Sequence, residues 1–274
     1  MEKARPASLA SSDSVRVTNP GGSSPFVLTC DHASNFLPAE FGTLGLAADD
    51  LSRHIAWDPG ALPVALRMAQ ALDAALVETR ISRLVIDCNR PLDAPDLILS
   101  VSVSEKTVVP ANQGLSAEER EARVALAWRP FHDTIEKIIE DRLAAGRETR
   151  LVSIHSFTPV FKGKNRPWHI GIIHDDDQRL ASPLVSALKR LAGVTVGVNE
   201  PYSPADRVYF TLERHARSRG LPCAMIEIRN DEIAGETGQR KWADLLTGIF
   251  SDLEPEEVRG SQRSAVGKSV QSAS

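Results

Sequence analysis

The sequence predicts an α/β fold, a mainly parallel sheet covered by helices on both faces, and three observations carry that prediction. Strand signals and helix signals alternate along the body of the chain. The strand signals are β-branched apolar runs bounded by breakers. Four apolar runs also end in polar or ionisable residues: Phe26-Val-Leu-Thr-Cys-Asp-His32, Leu84-Val-Ile-Asp-Cys-Asn-Arg90, Leu151-Val-Ser-Ile-His-Ser156 and Cys223-Ala-Met-Ile-Glu-Ile-Arg229. In an open α/β sheet, ligands gather at the carboxyl ends of the strands. An unpaired buried charge costs several kcal/mol, so four such endings point to one converged site rather than to core.

Residues 1–24, rich in Ser, Gly and Pro, are predicted to be a flexible leading segment, and residues 254–274 a flexible charged tail. Between them, residues 25–253 are predicted to form a single α/β catalytic domain. Strands are predicted at 25–31, 76–80, 83–88, 151–155, 168–173, 194–198 and 222–228. The periodic apolar stretch from Ala61 to Ala75 predicts a helix. Ser116 and Glu119 form a capping box that opens a long helix to about Ala145, stopped by Gly146. Ser182-Pro183 reads as a cap and first-turn proline before Leu184–Leu191. Further helices are predicted over Asp206–Arg219, closed by Gly220, and over Gln239–Leu253. Pro91 to Leu115 lacks helical periodicity and reads as a long excursion near the site.

Composition narrows the function. The 274 residues carry a net charge of −4, with 42% hydrophobic and 25% charged residues, ordinary values for a globular domain. The pI near 6.0 argues against a nucleic-acid partner. No apolar stretch approaches the roughly 20 residues that cross a bilayer. No apolar export segment is visible near the start, so a cytoplasmic location is expected. Cys30, Cys88 and Cys223 lack metal-site spacing and are expected to be buried free thiols.

His32 and His155 each follow an apolar strand, and neutral imidazole is the commonest side-chain metal ligand. A catalytic zinc needs three protein ligands and an open position. Asp58 is the leading candidate for the third, with Glu40, Asn35 and His54 as alternatives; Asp58 also suits an N-cap of the following helix. His54, four residues before Asp58, otherwise orients a ligand. Glu227, flanked by Ile226 and Ile228, points to the opposite face from both. It suits a general base that takes a proton from a metal-activated water and returns it to the leaving nitrogen. The alternative is an ion pair with Arg229. Asn89-Arg90 reads as a clamp for an anionic substrate, or as a structural pair with Asp87 or Asp93. Tyr202 suits an oxyanion donor, and the basic loop Lys162-Gly-Lys-Asn-Arg-Pro-Trp168 is either a complement to negative charge or a solvated turn. His215 reads as a surface or packing residue.

The chain resembles the N-formylglutamate amidohydrolase family over most of residues 25–250. The carriers are Cys30-Asp-His-Ala-Ser-Asn35, His54-Ile-Ala-Trp-Asp-Pro-Gly-Ala61, Asp87-Cys-Asn-Arg-Pro91, Ser153-Ile-His-Ser156, Asn199-Glu-Pro-Tyr202 and Ile226-Glu-Ile-Arg-Asn-Asp231. The family is similar in architecture to zinc carboxypeptidases. The resemblance implies a three-layer α/β/α sandwich with a mixed, mainly parallel sheet of the phosphorylase/hydrolase type. It implies zinc on His32, His155 and Asp58, Glu227 as base, and Asn89, Arg90, Tyr202 and Arg229 around the substrate, with His54 and Ser156 behind them. It also implies a small anionic N-acyl amino acid as substrate. The first segment departs from the carboxypeptidase pattern of His, two residues, then Glu. The competing readings are a metallo-carboxypeptidase, a muramoyl-amide hydrolase, or a non-catalytic binding protein on the same scaffold.

Overall fold

A computed structural model describes residues 13–102 and 106–253; the predicted tail at 254–274 and residues 1–12 lie outside the described residues. The elements in chain order are β1 (Val15–Thr18), β2 (Phe26–Cys30), α1 (Ala48–Ser52), α2 (Ala61–Leu72), β3 (Ala75–Thr79), α3 (Ala117–Arg123), α4 (Arg129–Ala144), β4 (Arg150–Phe157), β5 (Val160–Phe161), β6 (Lys164–Asn165), β7 (Ile170–Ile173), α5 (Ala181–Lys189), β8 (Val196–Val198), α6 (Phe210–His215), β9 (Cys223–Arg229) and α7 (Glu236–Leu253).

Seven strands form one mixed sheet in the order β1-β3-β2-β4-β9-β7-β8. The centre, β3-β2-β4-β9, is parallel. β1 runs antiparallel to β3, and β7 antiparallel to β9. Strand parity divides the core. Phe26, Leu28, Ile154 and Ile226 pack with residues of α2, α5 and α7 on one face. Val27, Val77, Leu151 and Met225 pack with residues of α4 and α6 on the other. Both faces are therefore apolar, which explains why the central strands lack hydrophobic alternation. Phe26 meets Phe250 of α7 edge-on, with ring centroids 4.8 Å apart; truncating a buried Phe of this kind costs about 3–5 kcal/mol. Among the described residues, no helix is long and apolar enough to cross a membrane.

The structure departs from the sequence expectations in five places. Val15–Thr18, within the predicted leading segment, is an edge strand of the sheet. The apolar run 83–88 is buried but is not a strand: the Asn112 side chain donates to the Leu84 carbonyl and Arg123 to the Val85 carbonyl. Side chains replace a neighbouring strand there, and periodicity alone cannot distinguish the two. The predicted helix 206–219 is broken. Arg207 is left-handed at φ 59°, a short turn precedes it, and only Phe210–His215 is α-helical. Asn89 and Arg90 claim the carbonyls of Val208 and Arg207, drawing this segment inward. Ser182 and Pro183 lie inside the first turn of α5, which starts at Ala181. The basic loop after β4 is a small hairpin, β5–β6.

The predicted capping box is present. Glu119 N–H donates to Ser116 Oγ at 3.2 Å, and Ser116 N–H to Glu119 Oε2 at 2.8 Å. The long helix it opens carries a widened π turn at Val124–Trp128, just before Pro130, which has no N–H to donate to the preceding turn. All three cysteines are free and buried.

Candidate active site

The candidate site lies at the carboxyl ends of β2, β4 and β9, on the sheet face that packs against α4 and α6. Thr29 and Ser153 are register partners on β2 and β4, and Thr29 Oγ1 donates to Ser153 Oγ at 3.0 Å. One step beyond, His155 of β4 is the register partner of Glu227 of β9. Parity places both on the same face, and Ile226 and Ile228 sit in the opposite core. His32 follows the end of β2. Its carbonyl accepts from the Asp58 N–H at 2.9 Å, which ties the 54–60 turn to the strand end. Gly60, at φ 83°, then starts α2; a Cβ there would stand 2.4 Å from the Ile233 carbonyl oxygen. The N-cap of α2 is Gly60 itself, with no side-chain cap, so the Asp58 carboxylate is free to turn into the site.

His32, Asp58 and His155 each present a ligating atom, and these atoms lie within 4.8 Å of one another. Asp58 Oδ2 stands 3.3 Å from His32 Nδ1 and 2.8 Å from His155 Nδ1. The outer imidazole nitrogens are also held by carboxylates: His32 Nε2 by Asp87 at 2.7 Å, and His155 Nε2 by Asp31 at 2.8 Å. A carboxylate behind each histidine fixes the ring and raises its basicity, as it does behind metal-ligating histidines. Arg83 donates to Asp87 Oδ2 at 2.7 Å. Asp58 Oδ1 is buried without a hydrogen bond, although His54 Nδ1 approaches to 3.3 Å. Two imidazole nitrogens, a carboxylate oxygen and an unsatisfied buried acceptor fit a divalent cation of the zinc type.

The electrostatics follow from burial and close pairing. Burial opposes a charge on His155, but hydrogen bonds to Asp31 and Asp58 outweigh it and raise its pKa well above the usual value. Burial also opposes ionisation of Asp58, yet the charge of His32 and the bonds from His155 and His32 hold its carboxyl well below the carboxylate range. Asp87 is lowered likewise, against burial, chiefly by the Arg83 charge. Glu227 moves the other way: burial pushes its pKa up to about 7, and its Oε2 has no partner. These groups line one cavity of about 620 Å³, which also reaches Asn89, Arg90, Arg166, Tyr202 and Arg207.

Comparison with known proteins identifies the family. The family model for N-formylglutamate amidohydrolase matches residues 24–234. The chain belongs to the N-formylglutamate amidohydrolase family. The crystal structure of gene product Atu2144 from Agrobacterium tumefaciens is 43% identical, covering 92% of this chain and 97% of its own, with a TM-score of 0.85. The N-formylglutamate amidohydrolase from Ralstonia eutropha JMP134 shares the fold at 18% identity, covering 91% of this chain and 99% of its own, with a TM-score of 0.66. No curated protein matches the chain.

Against the family's expected site, the structure brings His32, Asp58, His155, His54 and Glu227 together. Ser156 stands beside Asp58: its N–H points to Asp58 Oδ2 at 3.4 Å, and its hydroxyl donates to the Pro59 carbonyl. Of the alternative ligands, His54 stands beside Asp58, and the other two lie elsewhere. Asn35 donates to the Leu51 carbonyl, and Glu40 is exposed. Asn89 lines the cavity, but its amide is occupied by Val208 O and the Thr211 N–H. Arg90 pairs with neither Asp87 nor Asp93: its Nε donates to Asp96 at 3.0 Å, and its Nη1 to the carbonyls of Asn89 and Arg207. Arg229 is absent from the cavity wall. It bonds Asp231 and Glu232 and reaches the carbonyls of residues 166–168, bracing the chain that follows the hairpin; it makes no ion pair with Glu227.

Sequence reasoning missed Asp31 and Asp87 as the carboxylates behind the histidines and Arg83 as a cavity residue; Arg166, inside the basic loop it singled out, does line the cavity. Asp31 directly precedes His32, and Asp87 lies four residues after Arg83, so both signals were present but local spacing gave them no partner.

Proposed function

We propose that this chain is a zinc-dependent amidohydrolase that cleaves N-formyl-L-glutamate, or a closely related N-acyl amino acid, to the free amino acid and the carboxylic acid. The observation that carries the reading is the buried His32–Asp58–His155 group facing Glu227, whose second oxygen is unpartnered. Zinc held by the three residues supplies Lewis-acid polarisation and lowers the pKa of water from about 15.7 to about 7. Glu227, whose pKa burial pushes up to about 7 in the metal-free chain, faces the three residues from the neighbouring strand. It accepts a proton from the attacking water and returns it to the leaving nitrogen. Asp31 and Asp87 keep the two imidazoles oriented with Nδ1 inward. The cations on the cavity wall complement an anionic substrate, and His32, Asp58, His155 and Glu227 are all buried at its floor.

Metal analysis of the purified chain, combined with a formate-release assay, tests this. Stoichiometric zinc is expected, and Glu227→Gln should lower kcat by about 10²–10⁴-fold, the usual contribution of a positioned proton-transfer group. Wild-type turnover in that variant removes Glu227 from the mechanism. Absence of any bound divalent metal removes zinc from it.

A further inference from the structure

The cavity wall holds arginines of two kinds. Arg83 is paired with Asp87 at 2.7 Å, and Arg90 with Asp96 at 3.0 Å; both guanidinium charges are already met. Arg166 is different. It is only 8% exposed, yet among the described residues no carboxylate lies within ion-pair distance of it. Its surroundings are rings: its guanidinium carbon lies 4.4 Å from the Phe161 ring centroid, 4.7 Å from that of Tyr202 and 5.7 Å from that of Phe157. Its hydrogen bonds come from Nη1 alone, to Tyr202 Oη at 3.1 Å and to the Thr158 carbonyl at 3.4 Å. Among the described residues, Nε and Nη2 have no acceptor.

A nearly buried cation without a counterion is costly. Aromatic faces offset part of that cost but leave the charge unneutralised. The missing partner is therefore an anion. The free donors of a guanidinium form a planar fork matched to the two oxygens of a carboxylate. The Tyr202 hydroxyl accepts from Arg166, which leaves its own proton available for the same anion. Arg166, Tyr202 and Glu227 line the same cavity.

We propose that Arg166, with the Tyr202 hydroxyl, seats the carboxylate of the ligand, and that Arg90 shapes the wall through Asp96 instead of clamping the substrate. This places the specificity for anionic substrates on the chain just after the β5–β6 hairpin and on the loop after β8. It rests on the amidohydrolase reading only in naming that carboxylate as part of an N-acyl amino acid.

Calorimetric titration of the metal-loaded chain with glutarate and with its neutral isostere glutaramide separates the two ideas, alongside KM for N-formyl-L-glutamate. Arg166→Gln should weaken glutarate on the order of 10–100-fold, the range of a charge-assisted bidentate contact, and leave glutaramide unchanged. Arg166→Lys keeps the charge and the ring contacts but loses the fork, so an intermediate loss is expected; it also decides the matter if the Gln variant folds poorly. Arg90→Gln should alter glutarate and glutaramide equally. The inference is overturned if glutarate does not bind the wild type, if both Arg166 variants bind it normally, or if Arg90→Gln alone shows the carboxylate-selective loss. If N-formyl-L-glutamate is not cleaved but glutarate binding follows Arg166, the carboxylate seat stands and the proposed activity falls.

Discussion

Two buried histidine pairs sit at nearly the same ring separation, 5.0 Å for His32–His155 and 5.1 Å for His132–His215, and they behave as opposites. The first pair is crossed edge to face at 74°, with Asp31, Asp58 and Asp87 on its nitrogens. The second is stacked at 22°, among Trp128, Phe131 and Phe210. His132 Nε2 lies 2.9 Å from the Cys88 carbonyl, which only accepts, so the proton is on Nε2. His132 Nδ1 then accepts from His215 Nε2–H at 2.8 Å, and His215 Nδ1 is left bare and unpartnered. Burial pushes these pKa values down, to about 3 for His132, helped by the charge of His215, and to about 4 for His215, helped by Arg214. Residue type and burial alone do not separate the pairs; the partners of their nitrogens do. The first pair has carboxylates on its outer nitrogens, whereas the second has none and is a neutral strut, here bracing the backbone between Asp87 and Asn89.

The comparison can be broken most sharply at the rings themselves. His155→Ala should abolish zinc retention and formate release. It should also remove the thermal stabilisation by zinc, which for a single native-state site reaches about 2.7 kcal/mol at a hundredfold excess over the dissociation constant. His132→Ala should keep the full zinc response; loss of zinc there would erase the distinction between the pairs. Asp31→Asn and Asp87→Asn probe the outer carboxylates. Each should lower metal affinity by about 10–100-fold in competition with a chelator, and unchanged affinity would mean that the carboxylates are incidental. His132→Phe leaves the Cys88 carbonyl and the His215 N–H unpaired, so it should cost about 1–3 kcal/mol in urea denaturation at neutral pH without changing metal stoichiometry.

The smallest effect is in pH dependence. His132 and His215 have folded pKa values below the ordinary 6.5. The unfolded chain therefore binds more protons between about pH 6.5 and 4. Their contribution to stability is intact above that window and is lost as pH falls through it. His155, raised above 6.5 without metal, contributes stability below 6.5 that is lost as pH rises through its folded pKa. Metal-free His132→Phe should accordingly lose less stability than the wild type between pH 6.5 and 4. Parallel slopes would refute a neutral His132.

The frame of the site was legible because it follows strand parity. An apolar run ending in His32, another ending in His155, and Glu227 between two isoleucines each announce a side chain displaced from the core. Asp58 was legible from its spacing of four residues after His54 and from the segment His54-Ile-Ala-Trp-Asp-Pro-Gly-Ala61. What was not legible depends on pairing across distant chain segments. Asp31 and His155 are 124 residues apart in sequence, and Arg166 meets Tyr202 across 36. The run at 83–88 read as a strand because its burial is real; only the side chains of Asn112 and Arg123, which take the Leu84 and Val85 carbonyls, reveal otherwise. His132 and His215 carried no sequence signal of their joint role, since 83 residues separate the two rings that meet.

Gly171 of β7 is the register partner of Glu227 and of Gly197 on β8. A Cβ at Gly171 would stand 2.0 Å from the Glu200 carbonyl oxygen, and one at Gly197 2.6 Å from it. The turn that carries Tyr202 therefore settles into a trough left by two absent side chains. A single added methyl, touching no charged group and no candidate ligand, would lift that turn away from the sheet. The calibre of the cavity is written in backbone, and selection for a bulkier or slimmer ligand can act there while the histidines stay fixed.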